Sequence, residues 1–160
     1  MSFEKELIAA LPRLNRYAIS LTREPDAAQD LVQNTALKAL SSDSRPPARA
    51  ILPWLIRIAR NAFIDEARRT SRSAETVGTD GLVGAEDIAR VLAIKQALAK
   101  IDPDCRRLVV LIDVEGLTYG QAAHSLGIPI GTVMSRLSRA RRLLLALLTE
   151  DEGGDAGPIR

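Results

Sequence analysis

Apolar residues recur at spacings of three and four along most of the chain, and the places where that rhythm fails divide it into segments. Phe3, Leu7, Leu11, Leu14, Ala18 and Leu21 form one stripe, interrupted by Pro12. A kink at Pro12, or a helix that begins there, is therefore expected. PDAAQDLVQNTALKAL then places Ala27, Leu31, Val32, Ala36, Ala39 and Leu40 on one face and Asp30, Gln33, Asn34 and Lys38 on the other. SSDSRPPAR (41–49) is a turn-rich break with two prolines. The stretch after it, ILPWLIRIARNAFIDEARRT, reads as a third helix with Pro53 in its first turn. Trp54, Leu55, Ile58, Ala59 and Ala62 should face inward.

At SRSAETVGTDGLVG (71–84) the periodicity stops and small, polar and glycine residues take over, the composition of a flexible linker. Beyond it a helix near 85–100 carries Ile88, Val91, Leu92 and Leu98 as its apolar positions. Asp102 can cap the next helix, with Pro103 at its first position, running through CRRLVVLIDVEG. LTYGQAAHSLG makes a short helix and IPIGTVMSRLSRARRLLLALL a long one. The pattern predicts an all-α protein of two small helical domains, 1–70 and 85–150, joined by the linker 71–84 and followed by a frayed tail, 151–160.

Composition agrees. Aromatics make up only 3% of residues while apolar residues reach 46%, so folded cores are possible and helix formers dominate. The net charge of +2 conceals a local imbalance: Arg136, Arg139, Arg141 and Arg142 cluster without an acid, and Glu150, Asp151, Glu152 and Asp155 cancel them in the total. Cys105 is the single cysteine, so no internal disulfide can form and a reducing compartment fits. No apolar run approaches the ~18 residues of a membrane span, and MSFEKELIAALPRL lacks the layout of a signal peptide. A soluble, cytoplasmic protein is expected. One histidine, His124, and one cysteine cannot build a typical zinc site, and no phosphate-cradling glycine motif is present. Neither an enzyme nor a metal or cofactor is indicated.

LTYGQAAHSLGIPIGTVMSRLSRARR has the layout of a helix-turn-helix. Thr118 can cap its first helix, Gly127 can take the left-handed conformation that ends it, and Ile128 and Pro129 turn the chain. On a helical wheel Val133, Leu137, Ala140 and Leu144 cluster on the core side of the second helix. Thr132, Ser135, Arg136, Arg139 and Arg142 lie opposite, as a helix entering the major groove requires. Arginine can grip guanine O6 and N7 in bidentate fashion, and short hydroxyls near the helix start can meet phosphates. The other reading is a solvated basic face.

The third helix has a comparable stripe: Arg57, Asn61, Asp65 and Arg68 share one face, with Arg60 beside it and Arg69 at its basic end. Asparagine can pair with adenine and arginine with guanine or phosphate. An idle surface remains the alternative. Trp54 beside the stripe can be core or can stack on an unpaired base.

Taken in series, these segments resemble the extracytoplasmic-function (ECF) group of RNA polymerase sigma factors. DAAQDLVQNTALKAL resembles the region 2 helix that binds core polymerase, and LPWLIRIARNAFIDEARR the segment that opens and reads the −10 promoter element. LTYGQAAHSLGIPIGTVMSRLSRARRLL resembles the region 4 helix-turn-helix that reads the −35 element. LPRLNRYAISLT resembles the alphaproteobacterial general-stress branch. The resemblance implies that Asp30, Gln33, Asn34 and Leu37 bind polymerase, that Arg57, Asn61 and Asp65 read the −10 strand, and that Ser135, Arg136, Ser138 and Arg139 face the −35 element. It places capture of a flipped base at loop 41–52. Met134 departs from a position where the family often has a cation, and Asp65 from one where some relatives have asparagine. Core RNA polymerase, promoter DNA and an anti-sigma factor are the implied partners, with transcription redirected to a stress regulon and a compact state when inhibited. A sigma-like decoy that sequesters an anti-sigma factor is the alternative.

Overall fold

The computed structural model describes residues 2–69 and 88–152. All regular structure among them is helical: α1 (Phe3–Thr22), α2 (Pro25–Ser41), α3 (Ala48–Arg69), α4 (Ile88–Ala99), α5 (Pro103–Val109), α6 (Tyr119–Leu126) and α7 (Ile130–Glu152). A π-helical turn, Val110–Val114, continues α5. The expected linker, 71–84, and tail lie outside the described residues.

α1, α2 and α3 pack on one another as a three-helix bundle. Leu7, Leu14, Ala18 and Leu21 of the first stripe are buried, and α1 runs through Pro12 without a restart. Pro12 is exposed, so the Ile8 carbonyl it leaves unbonded faces solvent rather than core. α1 ends at Arg23, which takes the left-handed conformation (φ 58°) and donates its N–H to the Ile19 carbonyl at 2.8 Å.

The buried face of α2 is rotated from the expected one. Ala28, Leu31, Thr35 and Ala39 are inside, whereas Leu40 is 46% exposed and Leu37 64%. The Thr35 hydroxyl donates to the Leu31 carbonyl at 2.7 Å, which lets a polar side chain take a core position and leaves two leucines outside. α3 starts five residues before Pro53, directly after the Pro46–Pro47 pair, so Pro53 lies inside the helix and not in its first turn. Its inward set is Ile51, Leu52, Leu55, Ile56, Ala59 and Ala62; Trp54 and Ile58 are half-buried.

In the second half the core runs through Ile101, Cys105, Leu108, Leu111, Leu117, Ala122, Ala123, Leu126, Val133, Leu137 and Ala140. Asp102 caps α5, accepting from the N–H groups of Asp104 and Cys105. Thr118 forms a full capping box with Gln121, and Gly127 ends α6 at φ 65°. α4 differs from expectation: Ile88 and Leu92 are exposed, Val91 and Leu98 half-buried, and Ala97 is its buried residue. A helix that packs mainly against α7 uses only a narrow line of contact, so most of its apolar residues stay outside.

The two halves do not stand apart. α1 packs on α5 and the π-helical turn, and α3 packs on α6. Tyr17 of α1 is fully buried near this junction, and burial pushes its phenol up to about 12 despite the opposing pull of Arg107 and Arg60. Its hydroxyl has no hydrogen-bond partner.

Two outcomes follow for stability. An unfolded tyrosine titrates near ~10. The stability that the neutral Tyr17 phenol contributes is therefore complete below about pH 10 and lost as pH rises through about 12. Urea unfolding should show that loss in wild type and a smaller one in Tyr17→Phe, with the two within about 1 kcal/mol at neutral pH because no hydrogen bond is removed. Thr118→Ala should cost about 1 kcal/mol in the same assay through loss of the α6 cap; an unchanged midpoint would contradict the capping role.

Candidate nucleic-acid interface

A helix with one face against its neighbours has one face left for a ligand; α3 presents cations and an amide there, and α7 cations and hydroxyls. On α3, Arg57, Asn61, Asp65, Arg68 and Arg69 are exposed, opposite the buried Leu55, Ala59 and Ala62. Arg60, beside the stripe, is half-buried near Tyr17. On α7, Val133, Leu137 and Ala140 are fully buried and Leu144 half-buried, as the wheel requires. Ser135, Ser138, Arg139 and Arg142 are exposed, and Thr132 and Arg136 half-exposed. Ser135 donates to the Thr132 carbonyl at 3.2 Å, and Arg136 lies 3.9 Å from the Asp104 carboxylate.

Arg141 stands apart from its basic neighbours. It grips Asp113 with two nitrogens at 2.6 and 3.2 Å and approaches the Tyr119 hydroxyl at 3.4 Å. The Asp113 bonds, followed by Tyr119, hold its guanidinium above the ordinary arginine range. It ties α7 to the π-helical turn. Cys105 is buried, which raises its thiol above the usual range, with Asp102 adding to the effect and Arg139 and Arg136 opposing it. Such a thiol is a poor nucleophile.

The set expected on α2 forms a separate surface. Asp30, Gln33, Asn34 and Leu37 are all exposed, and the exposed Leu40 continues their apolar component. Arg45, in the loop between α2 and α3, stacks over the Phe3 ring at 4.4 Å, and Phe3 meets Trp54 edge-on at 6.1 Å between centroids. Trp54 therefore has an aromatic partner and serves the α1–α3 packing.

The structure brings the α3 stripe close to the helix-turn-helix, an arrangement the sequence left open. Arg57, Arg60 and Asn61 form one wall of a cleft of about 590 Å³; His124, Ser125, Gly127, Ile128 and Pro129 contribute to the other. Arg57 Nη1 is 3.4 Å from His124 Nε2, and the buried Ser125 hydroxyl donates to the Pro53 carbonyl at 2.9 Å.

A second link joins α1 to the end of the π-helical turn. Glu115 is 4% exposed, and its carboxylate accepts from Arg13 Nε at 2.9 Å and from Arg16 Nε and Nη2 at 2.5 and 3.2 Å. Arg13 also donates to the Glu115 backbone carbonyl. The Glu115 bond raises the Arg16 guanidinium above its ordinary value, against the effect of burial. None of Arg13, Arg16, Glu115 and Ser125 was singled out by pattern. The available signal is electrostatic: Asp113 and Glu115 both sit at a helix C-terminus, where the helix dipole disfavours negative charge. Each has its arginine from a distant segment.

Both halves of the chain have matches among known proteins. Residues 7–73 match the family model for sigma-70 region 2, and residues 86–144 that for sigma-70 region 4. The chain is 36% identical to the ECF RNA polymerase sigma factor EcfG of Rhodopseudomonas palustris, an alignment covering 98% of this chain and 91% of that protein. Among solved structures it resembles the sigma factor RpoE of Bartonella quintana, determined in complex with the anti-sigma factor NepR. The TM-score is 0.74 at 34% identity, covering 92% of this chain and 96% of that one. It also resembles CnrH, determined with the cytosolic domain of CnrY, with TM-score 0.63 at 30% identity over 93% and 88% of the two chains. With both sigma regions present in order on a shared helical fold, the chain belongs to the ECF RNA polymerase sigma factors.

Proposed function

We propose that this sigma factor reads promoters through the two outward stripes described above and serves a stress regulon in the cytoplasm under the control of an anti-sigma factor. In this reading residues 1–70 form region 2, 71–84 a linker, 85–150 region 4 and 151–160 a tail. Arg57, Arg60, Asn61, Asp65, Arg68 and Arg69 meet the melted −10 strand, Asn61 and Asp65 offering base-edge hydrogen bonds and the arginines phosphate or guanine contacts. Thr132, Ser135, Arg136, Ser138, Arg139 and Arg142 face the −35 duplex. Asp30, Gln33, Asn34 and Leu37 dock on core polymerase, where Leu37 supplies an exposed apolar anchor.

The chemistry is binding throughout. Extruding a base from the −10 strand costs a few kcal/mol, and contacts made by region 2 offset that cost. The observation that carries the reading is the polarity of α3 and α7: buried aliphatic faces backed by exposed Arg, Asn and Ser at helical spacing, one on each sigma region. The stress assignment rests on the resemblance of LPRLNRYAISLT to the general-stress branch, and the anti-sigma partner on solved complexes of RpoE with NepR and CnrH with CnrY.

Run-off transcription with core RNA polymerase over genomic promoter fragments tests it. A single base or phosphate contact is worth about 1–3 kcal/mol, so Asn61→Ala and Arg139→Ala should each lower transcript yield by roughly 5- to 150-fold. Leu37→Glu should weaken capture of core polymerase while leaving region 4 binding to duplex DNA intact. Discrete transcripts insensitive to Asn61→Ala and Arg139→Ala would overturn the residue assignments. Absence of transcripts from every promoter, with tight binding to an anti-sigma protein, would show a decoy instead.

A further inference from the structure

We infer that Tyr17, Arg107 and Arg60 form an anion site, and that phosphate is the class of ligand that fits it. Tyr17 and Arg107 belong to none of the polymerase- or DNA-facing sets, and Arg60 is the one residue shared with them.

Two buried donors have no acceptor here. The Tyr17 hydroxyl on α1 is wholly enclosed and unpartnered, and so is the Arg107 Nε on α5. Arg60, half-buried on α3, and Arg107 are the cations that act on the Tyr17 phenol. Neighbouring carboxylates are already engaged. Asp104 accepts from Arg107 Nη1 at 3.2 Å, Asp102 from the N–H groups that open α5, and Glu115 from Arg13 and Arg16. Arg106, next to Arg107 in the chain, adds positive charge: it is 6% exposed, and its hydrogen bond goes to the Leu98 carbonyl at 3.4 Å. The α1–α5 contact thus encloses cations and donors that lack lone pairs to bond, an arrangement that folded proteins avoid unless something supplies the acceptor.

The donor set favours a tetrahedral oxyanion over a carboxylate. A carboxylate is best held by the two-pronged fork of one arginine. Arg107 already commits Nη1 to Asp104, so its Nε stands alone. Phosphate directs its oxygens along tetrahedral axes, so one ion can accept from α1, α3 and α5 together, and its double charge matches two guanidiniums. Arg60 also provides the way in, because it lines the cleft of about 590 Å³ between α3 and the α6–α7 turn. That cleft has Arg57 as a second cation and no acidic side chain among its described lining residues, so its field draws anions toward Arg60.

The test titrates the full chain with inorganic phosphate in an otherwise phosphate-free buffer at constant ionic strength. Calorimetry gives the Kd, and NMR of tyrosine-labelled protein follows the Tyr17 ring, with Tyr119, the other tyrosine, as internal reference. Phosphate should bind at one site and move Tyr17 while Tyr119 stays in place; acetate should do neither. Tyr17→Phe keeps the packing, removes one donor and should weaken phosphate about tenfold, as expected for a hydrogen bond to a charged acceptor. Arg107→Lys keeps the charge but loses the Nε–H, and should weaken it to a similar degree. Undiminished binding in both variants would reduce the effect to diffuse charge and sink the inference. An unmoved Tyr17 would do the same, since an enclosed water then satisfies the donors. A parallel titration uses a short single-stranded oligonucleotide without terminal phosphate. If that strand moves Tyr17 and free phosphate does not, the donors serve a phosphodiester and the site is not the one inferred.

Discussion

A carboxylate at the C-terminal end of a helix is doubly disfavoured, by the helix dipole and, when enclosed, by loss of water. Glu115 meets both conditions at the end of the α5–π segment. Its burial is tolerable because Arg13 and Arg16 reach it from α1, on the other half of the molecule. Removing both arginines from a fully buried pair would cost about 3–5 kcal/mol. Since Arg13 and Arg16 are about half-exposed, the cost here is smaller. The pairing joins two small helical units across a junction that also holds the Ser125–Pro53 bond and sets the α6–α7 turn over Arg57 and Asn61.

The π-helical turn shares in this arrangement. The Glu115 N–H bonds the carbonyl of Val110, five residues back, and Gly116 takes a positive φ of 75° where a side chain would be strained. Within three residues the segment offers Asp113 to Arg141 of α7 and Glu115 to α1. One acid organises region 4 internally and the next joins region 4 to region 2. Arg141 is thereby drawn to Asp113 even though it stands between the exposed Arg139 and Arg142 in sequence.

Local physics made most of each unit legible. Stripes at three and four, the Asp102–Pro103 start, the Thr118 cap and Gly127 all appear where pattern places them, because each depends on neighbours within a few residues. The exposed faces of α3 and α7 could be read for the same reason. Errors arose where something other than the apolar rhythm set the outcome. The face of α2 turned toward Thr35 because an intrahelical bond made its hydroxyl buriable. α4 stayed largely exposed because mainly α7 covers it, and α3 began before Pro53 because the preceding proline pair ends the loop. Arg13, Arg16, Glu115 and Ser125 were invisible to periodicity since their roles exist only across the junction. For the two acids, the unfavourable helix-end position was the one local sign that a cation had to come from elsewhere.

Polar groups at a junction between two helical units hold it differently from an apolar seam, since each must keep a partner or regain water. The links described here are mostly polar: three arginines, a glutamate, a histidine and a serine, all readily solvated once separated. The same junction leaves the Tyr17 hydroxyl and Arg107 Nε buried without hydrogen bonds near the α1–α5 contact. Each such group costs about 1–3 kcal/mol. Favourable ion pairing is thus set against unfavourable desolvation at the same junction.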